Sequence, residues 1–300
     1  MLHVVHHPDY VAPVAPDNTY RFDKHAMVMR SLFDSGMVMA VHSPDPMPAA
    51  WLEAVHDPAY VAEVAAAAVP PAKERRIGYP VSRFVARRAA RVPGGTWLAA
   101  KLAIEHGFAA NSAGGSHHAL YDTGAGYCVF NDLAVATHRL IAEGDAARVL
   151  IVDLDVHQGD GTAALMSARD DVFTLSIHAE KNFPVRKAVS TLDIGLEDRV
   201  DDAGYMAVLE RTLPSVLDAF APDFVFYQAG VDPHVEDRLG RLALSDAGLA
   251  ARDRYVVTQV RARGLPIAST MGGGYGADKL AVAQRHGRSI IAMAEANEAY

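Results

Sequence analysis

Several things are scarce in this sequence, and each scarcity excludes a class of protein. It holds one cysteine, Cys128, so no internal disulfide can form, which fits a reducing compartment. No apolar run approaches the roughly 18 uninterrupted residues that a membrane span requires. The first ten residues, MLHVVHHPDY, lack the basic stretch and long apolar core of a secretion signal. Basic residues are also in deficit: 28 Lys and Arg face 36 Asp and Glu, for a formal net charge of −8, with no long basic run. A nucleic-acid surface is thereby disfavoured, and a polycationic or neutral substrate is easier to accommodate than DNA. A soluble, cytoplasmic protein is expected.

What is abundant points to one large core. Half of the 300 residues are apolar, enough for a single sizeable α/β domain. Four near-continuous apolar runs, VLIVDLD (149–155), VFTLSIH (172–178), FVFYQAG (224–230) and PIASTMG (266–272), read as strands buried on both faces. Helical patterns lie between them, one after Asp160 and one after Asp201 with Met206, Leu209 and Leu213. The alternation predicts a doubly wound, mostly parallel sheet with helices on both faces. Val64 to Val69, four alanines between two valines ahead of Pro70 and Pro71, reads as a helix end running into a loop, and KERR (73–76) as a solvated loop.

Each predicted strand ends in polar or glycine-rich sequence: DVHQGDG, HAEKNF, AGVDPH and GGGYG. Ligands of open α/β sheets bind beyond the carboxyl ends of the strands, so these clusters are expected to converge. In VLIVDLDVH, Asp153, Asp155 and His157 recur at every second position, which places them on one face of an extended chain. Adjacent carboxylates at a buried strand end are costly unless a cation or strong donors compensate. Capping of the next turn would account for a lone Asp; the DxDxH spacing points to a divalent metal. Catalytic zinc generally takes three protein ligands, and Asp232, just past another apolar strand and fixed by Pro233, is the candidate third.

Fourteen histidines are more than ordinary composition suggests, and their places matter more than their number. His117 and His118 are consecutive in the glycine-rich segment NSAGGSHHALYDTGAGYCVFND (111–132), a setting for paired proton transfer. His6 and His7 have no such setting and are expected to be structural or to line a rim. Tyr275 follows three glycines in MGGGYG, where its hydroxyl could serve as a donor to a developing oxyanion.

Taken together, AGGSHHA, GYCVFND, DLDVHQGDGT, AGVDP and GGGY resemble, in order, the motifs of the arginase-like histone deacetylase superfamily. HAEKNFPVRK (178–187), HDPAYV (56–61), RRIGYP (75–80) and DRLGRLALS (237–245) are similar to stretches of its class IV branch and bacterial relatives. The resemblance spans nearly the whole chain and implies one deacetylase-like catalytic domain over 1–300 with an arginase/deacetylase-like fold. It implies Asp155, His157 and Asp232 as zinc ligands, His118 as general base and acid, and His117 with Asp153 as its electrostatic partner. Asp160 would orient His118, and Tyr275 would polarise the carbonyl. Gly126 would accept a hydrogen bond from substrate, with Tyr127 and Phe183 as channel walls. A potassium ion is implied near Asp153, Asp155, His157, Ser176 and Ile177, and a second cation near Met166, Arg169 and Val172. Two departures stand out: the GYP at 78–80 leaves no acidic rim residue to grip a peptide backbone, and His234 and Glu236 are expected to alter the pocket mouth.

The expected activity is hydrolysis of a linear amide C–N bond, removing acetyl or other acyl groups from lysine side chains of proteins or peptides. An acetylpolyamine amidohydrolase would use the same chemistry on a small acylated amine; its long dimer-forming insertion has no obvious counterpart here. An arginase-like manganese ureohydrolase would need a richer carboxylate cluster. A catalytically dead binding module is opposed by intact His117, His118 and Tyr275.

Overall fold

The computed structural model describes residues 1–11 and 22–300. In chain order its elements are β1 (Leu2–Val5), α1 (Lys24–Asp34), β2 (Met39–His42), α2 (Ala49–Glu53), α3 (Pro58–Ala65), α4 (Pro71–Ile77), α5 (Arg83–His106) and β3 (Phe108–Asn111). Then follow α6 (Asp132–Ala142), β4 (Val149–Asp153), α7 (Asp160–Met166), β5 (Val172–Ala179) and β6 (Leu192–Leu196). The chain ends with α8 (Asp202–Phe220), β7 (Phe224–Gln228), α9 (Asp246–Arg261), β8 (Ile267–Thr270) and α10 (Lys279–Asn297). Eight strands pair in the order β2-β1-β3-β8-β7-β4-β5-β6, and every pairing between them is parallel.

Side-chain alternation divides the central strands between two cores. Leu150 and Val152 of β4 and Val225 and Tyr227 of β7 pack with α8, α9 and α10. Val149, Ile151, Phe224 and Phe226 pack on the other face with α3, α5 and α6. Burial on both faces is why these strands read as unbroken apolar runs. The doubly wound expectation holds, and the sheet is parallel throughout.

Four strands went unread. β3 is FAAN, weak in the branched and aromatic residues that mark strands, and takes its form from burial between β1 and β8. β2 and β6 are the two sheet edges and only partly buried, while β1 has four residues. The Val64–Val69 stretch is indeed a helix end running into a loop, since α3 stops at Ala65. KERR is not a loop: it lies in α4, which ends at Gly78 with φ +99°.

The strand order explains where a site can form. β3, β8, β7 and β4 are consecutive neighbours, and the register aligns Asp153 with Gln228 and Gln228 with Thr270. The loops leaving these ends therefore meet over one edge of the sheet. No helix among the described residues is long and apolar enough to cross a membrane.

Candidate active site

The loop after β4 brings the carboxylates together. Asp155 Oδ1 accepts the His157 backbone N–H at 3.0 Å and lies 2.9 Å from His157 Nδ1. Asp232, from the loop after β7, places Oδ2 3.1 Å from the same nitrogen and accepts the Val156 N–H on Oδ1 at 2.8 Å. All three side chains are buried, with one ligand atom from each within 4.8 Å of the others, and such a group could hold a metal. Asp155 Oδ2 is fixed by the Gln228 side-chain amide at 2.7 Å and by the Gly273 N–H at 2.8 Å. Beneath these loops, the fully buried Arg252 donates to the carbonyls of Leu154 and Gly230, 3.1 and 2.8 Å away.

The loop after β3 supplies the histidine pair. His117 Nδ1 is 2.7 Å from Asp153 Oδ2, and His118 Nδ1 is 2.6 Å from Asp160 Oδ1 at the start of α7. Their rings lie 4.1 Å apart between centroids. Asp132 shapes the turn before them, accepting the Gly115 N–H, the Ser116 N–H and the Thr96 hydroxyl. Gly126, at φ +52°, crosses the His118 ring so closely that a Cβ would meet its Cδ2 at 2.5 Å.

Burial and neighbours push these groups apart in acidity. Burial disfavours a charged His118, His117 beside it adds to this, and its pKa falls to about 4. His117 is equally buried, but Asp153 and Asp155 outweigh that cost and raise it to about 9. Burial also opposes a charged His157, yet hydrogen bonds to Asp155 and Asp232 lift it to about 10. Asp232 is pushed up to about 7 by burial and then by Asp155. Asp155, held by His117 and His157 against the cost of burial, stays well below the usual carboxylate range. Two carboxylates here require positive charge between them.

A cavity of about 440 Å³ leads to this cluster. Its buried lining includes His118 and His157, and its sides include Gly126, Tyr127, Phe183 and Tyr275. Phe183 meets the His118 ring edge-to-face at 4.8 Å, and Tyr275 lies 5.7 Å from Tyr127 and 6.3 Å from His157, between centroids. Tyr127 is held at φ +66°, with its N–H donating to the Ile77 carbonyl and its own carbonyl accepting the Tyr79 hydroxyl. Asp237 sets the Tyr275 loop by accepting the Tyr275 N–H at 2.6 Å.

Every residue assigned to catalysis, metal or channel in the sequence therefore lies in one cluster, and several others do not. His234 and Glu236 are not among the residues lining the cavity: His234 is buried with Nε2 3.4 Å from Asp246, and Glu236 pairs with Arg285. His6 is tied to Ser112 at 2.7 Å and His7 caps a short helical turn, so neither lines the cavity. Ser176 sits beside Asp153 in the β4–β5 register. Met166, Arg169 and Val172 line a separate cavity of about 500 Å³. The sequence reading missed Gln228, Asp132, Asp237 and Arg252, the groups that hold the active loops. It also missed the mouth: Arg75, Arg76, Lys181 and Arg241 all line it, with no carboxylate among the described lining residues. The net charge of −8 thus gives the wrong sign locally.

Comparison with known proteins agrees with this geometry. Residues 15–289 match the histone deacetylase domain family. An uncharacterised protein of Picosynechococcus sp. is 45% identical over 285 residues, covering 94% of this chain and 95% of that one. Histone deacetylase 2 of Arabidopsis thaliana is 32% identical over 67% of this chain, which spans 51% of that protein. A probable deacetylase of Methanothermobacter thermautotrophicus is 31% identical over 71% of this chain and 65% of its own length. Among solved structures, the HDA15 HD domain superposes with a TM-score of 0.81 at 21% identity, covering 96% of this chain and 89% of that one. Acetylpolyamine aminohydrolase from Burkholderia pseudomallei does so with a TM-score of 0.79 at 22% identity, covering 98% of each. At such identities these two likenesses concern the fold.

Proposed function

Because the chain belongs to the histone deacetylase family, we propose that it is a zinc-dependent amidohydrolase removing acetyl or other acyl groups from lysine side chains of proteins or peptides. The observation that carries this reading is the pair of His–Asp contacts, His117–Asp153 and His118–Asp160, beside one buried Asp155–His157–Asp232 group at the end of an aromatic-walled cavity.

The donor set suits zinc, with one imidazole and two carboxylates close together and a net charge a divalent ion would balance. Asp155, His157 and Asp232 would hold it, and the chemistry it supplies is acidification of a water and polarisation of the amide carbonyl. A second metal would need a richer carboxylate set than this one. The same reading includes a potassium ion near Asp153, Asp155, His157, Ser176 and Ile177, supported by the register that sets Ser176 beside Asp153.

The chain's own groups divide the remaining work. Asp160 accepts from His118 Nδ1–H, which leaves Nε2 as the basic atom. His118 is buried as a neutral imidazole, so it can take a proton from the attacking water and return it to the departing amine. His117, charged and paired with Asp153, stabilises negative charge nearby. Tyr275 donates its hydroxyl to the carbonyl oxygen as charge develops there. The Gly126 carbonyl accepts the substrate N–H, and Tyr127 and Phe183 hold the alkyl stem.

The decisive experiment pairs metal analysis with a substrate panel of acetyl-lysine peptides, longer acyl-lysines and acetylputrescine. One zinc per chain and turnover of the lysine substrates, lost in His118→Ala with zinc retained, are expected. Activity confined to acetylputrescine would move the assignment to an acetylpolyamine amidohydrolase. Two manganese ions per chain would make it a ureohydrolase, and full zinc without amidase activity a binding module.

A further inference from the structure

We infer that this site selects substrates carrying a carboxylate on the amine half, just outside the channel, and disfavours polycationic amines. The inference rests on the amidohydrolase reading and narrows its substrate class.

Four cations line the mouth. They arrive on three separate segments: Arg75 and Arg76 on the last turn of α4, Lys181 on the loop after β5, and Arg241 on the loop after β7. α4 is pinned to the channel wall, because the Arg76 carbonyl accepts the Gly126 N–H at 3.0 Å and the Ile77 carbonyl accepts the Tyr127 N–H at 2.7 Å. The backbone that carries the two arginines therefore stands at a fixed place relative to the atoms assigned to grip the substrate amide. Both are exposed, and neither has an ion-pair partner among the described residues. Their neighbour Glu74 is turned away, accepting the Val81 N–H at 2.7 Å. Lys181 and Arg241 do meet carboxylates, Glu197 at 3.5 Å and Asp198 at 2.9 Å. Glu197 is 83% exposed, so its pairing with Lys181 neutralises little.

With Arg241 offset by Asp198, it is Arg75, Arg76 and Lys181 that focus positive potential where the substrate backbone must rest, in a protein whose net charge is negative. An acyl-lysine entering stem-first leaves its α-carbon and neighbours among these cations. A carboxylate there gains attraction and bidentate hydrogen bonds from Arg75 or Arg76. A polyamine would bring its remaining ammonium groups against like charge. The carboxylate can come from a terminal or free acyl-lysine, or from Asp and Glu beside the modified lysine in a peptide.

The test measures binding and turnover of Nε-acetyl-lysine peptides with glutamate, glutamine or lysine on both sides. Two further ligands, an acetyl-lysine ending in a free carboxylate and its amide, separate the two sources; acetylspermidine, which keeps two ammonium groups, is the polycationic arm. Binding is read by calorimetry on zinc-loaded His118→Ala protein, and KM on the active enzyme. Glutamate-flanked or free-carboxylate ligands should bind about tenfold more tightly than lysine-flanked ones at low salt, the advantage shrinking at high salt. The double variant Arg75→Glu/Arg76→Glu should abolish or reverse the order, whereas Arg87→Glu, outside the cavity, should leave it unchanged. Equal binding of all flanks, or tightest binding of acetylspermidine, overturns the inference while turnover of the peptides still upholds the amidohydrolase. If peptides bind in the stated order but none is cleaved by the active enzyme, the amidohydrolase reading fails and the charge preference stands.

Discussion

His118, which lines the cavity, has Nδ1 2.6 Å from Asp160 Oδ1, a contact that favours the tautomer protonated on Nδ1. Asp160→Asn keeps the size of the partner but offers an amide that can donate to Nδ1 and stabilise the opposite tautomer. Turnover should fall by about two orders of magnitude or more, within the range attributed to a general base, with KM little changed. Steady-state kinetics of the zinc-loaded variant check this; unaltered kcat would remove Asp160 from the proton path.

Tyr275 is expected to act on charge that exists only in the transition state. Tyr275→Phe should therefore keep the aromatic contacts with Tyr127 and His157 and bind a full complement of zinc. Its kcat should drop by about 10²–10³-fold, the usual loss for one oxyanion donor. Normal turnover with normal zinc would mean that the donor is another group.

Gly273 supports the ligand group through its backbone. Its N–H donates to Asp155 Oδ2, and a Cβ at this position would collide with Asp232 Oδ2. Gly273→Ala should displace one carboxylate and weaken zinc binding by roughly 10–100-fold, comparable with loss of a residue that orients a ligand. Competition against a zinc chelator gives the measurement, and circular dichroism shows whether the fold survives. Zinc affinity equal to that of the parent would show that the loop yields without cost.

The sequence made the central sheet and the reacting groups legible for the same reason: both leave strong local patterns. β4, β5 and β7 are apolar on both faces, and Asp153, Asp155 and His157 alternate directly after an apolar run. β3 was invisible because FAAN has no such pattern and is a strand only through its neighbours. Gln228 and Asp132 were invisible because their roles are long-range contacts, to Asp155 and to the Gly115–Ser116 turn. The arginines of KERR look like any solvated run in sequence. Only the pairing of the Arg76 and Ile77 carbonyls with the Gly126 and Tyr127 amides places them at the mouth.

Acid stability should carry the mark of His56. This imidazole is fully buried, its Nδ1–H donating to the Leu120 carbonyl at 2.8 Å and its Nε2 accepting the Asn131 N–H at 3.0 Å. Asn131 in turn caps α6, ahead of the Asp132 that shapes the histidine loop. Burial lowers the His56 pKa from 6.5 to about 4, against the smaller opposing pull of backbone carbonyls. Below pH 6.5 the unfolded chain therefore binds a proton at this position that the folded chain refuses until about pH 4. With more protons on the unfolded state, stability rises with pH through that window and falls on acidification, by about 1.4 kcal/mol per pH unit for one proton. Urea midpoints measured across the window, for the parent and for His56→Gln, isolate the contribution. The variant should be less stable at neutral pH and should lose less on acidification, by about one proton's slope. Parallel curves for the two proteins would mean that His56 does not titrate on unfolding.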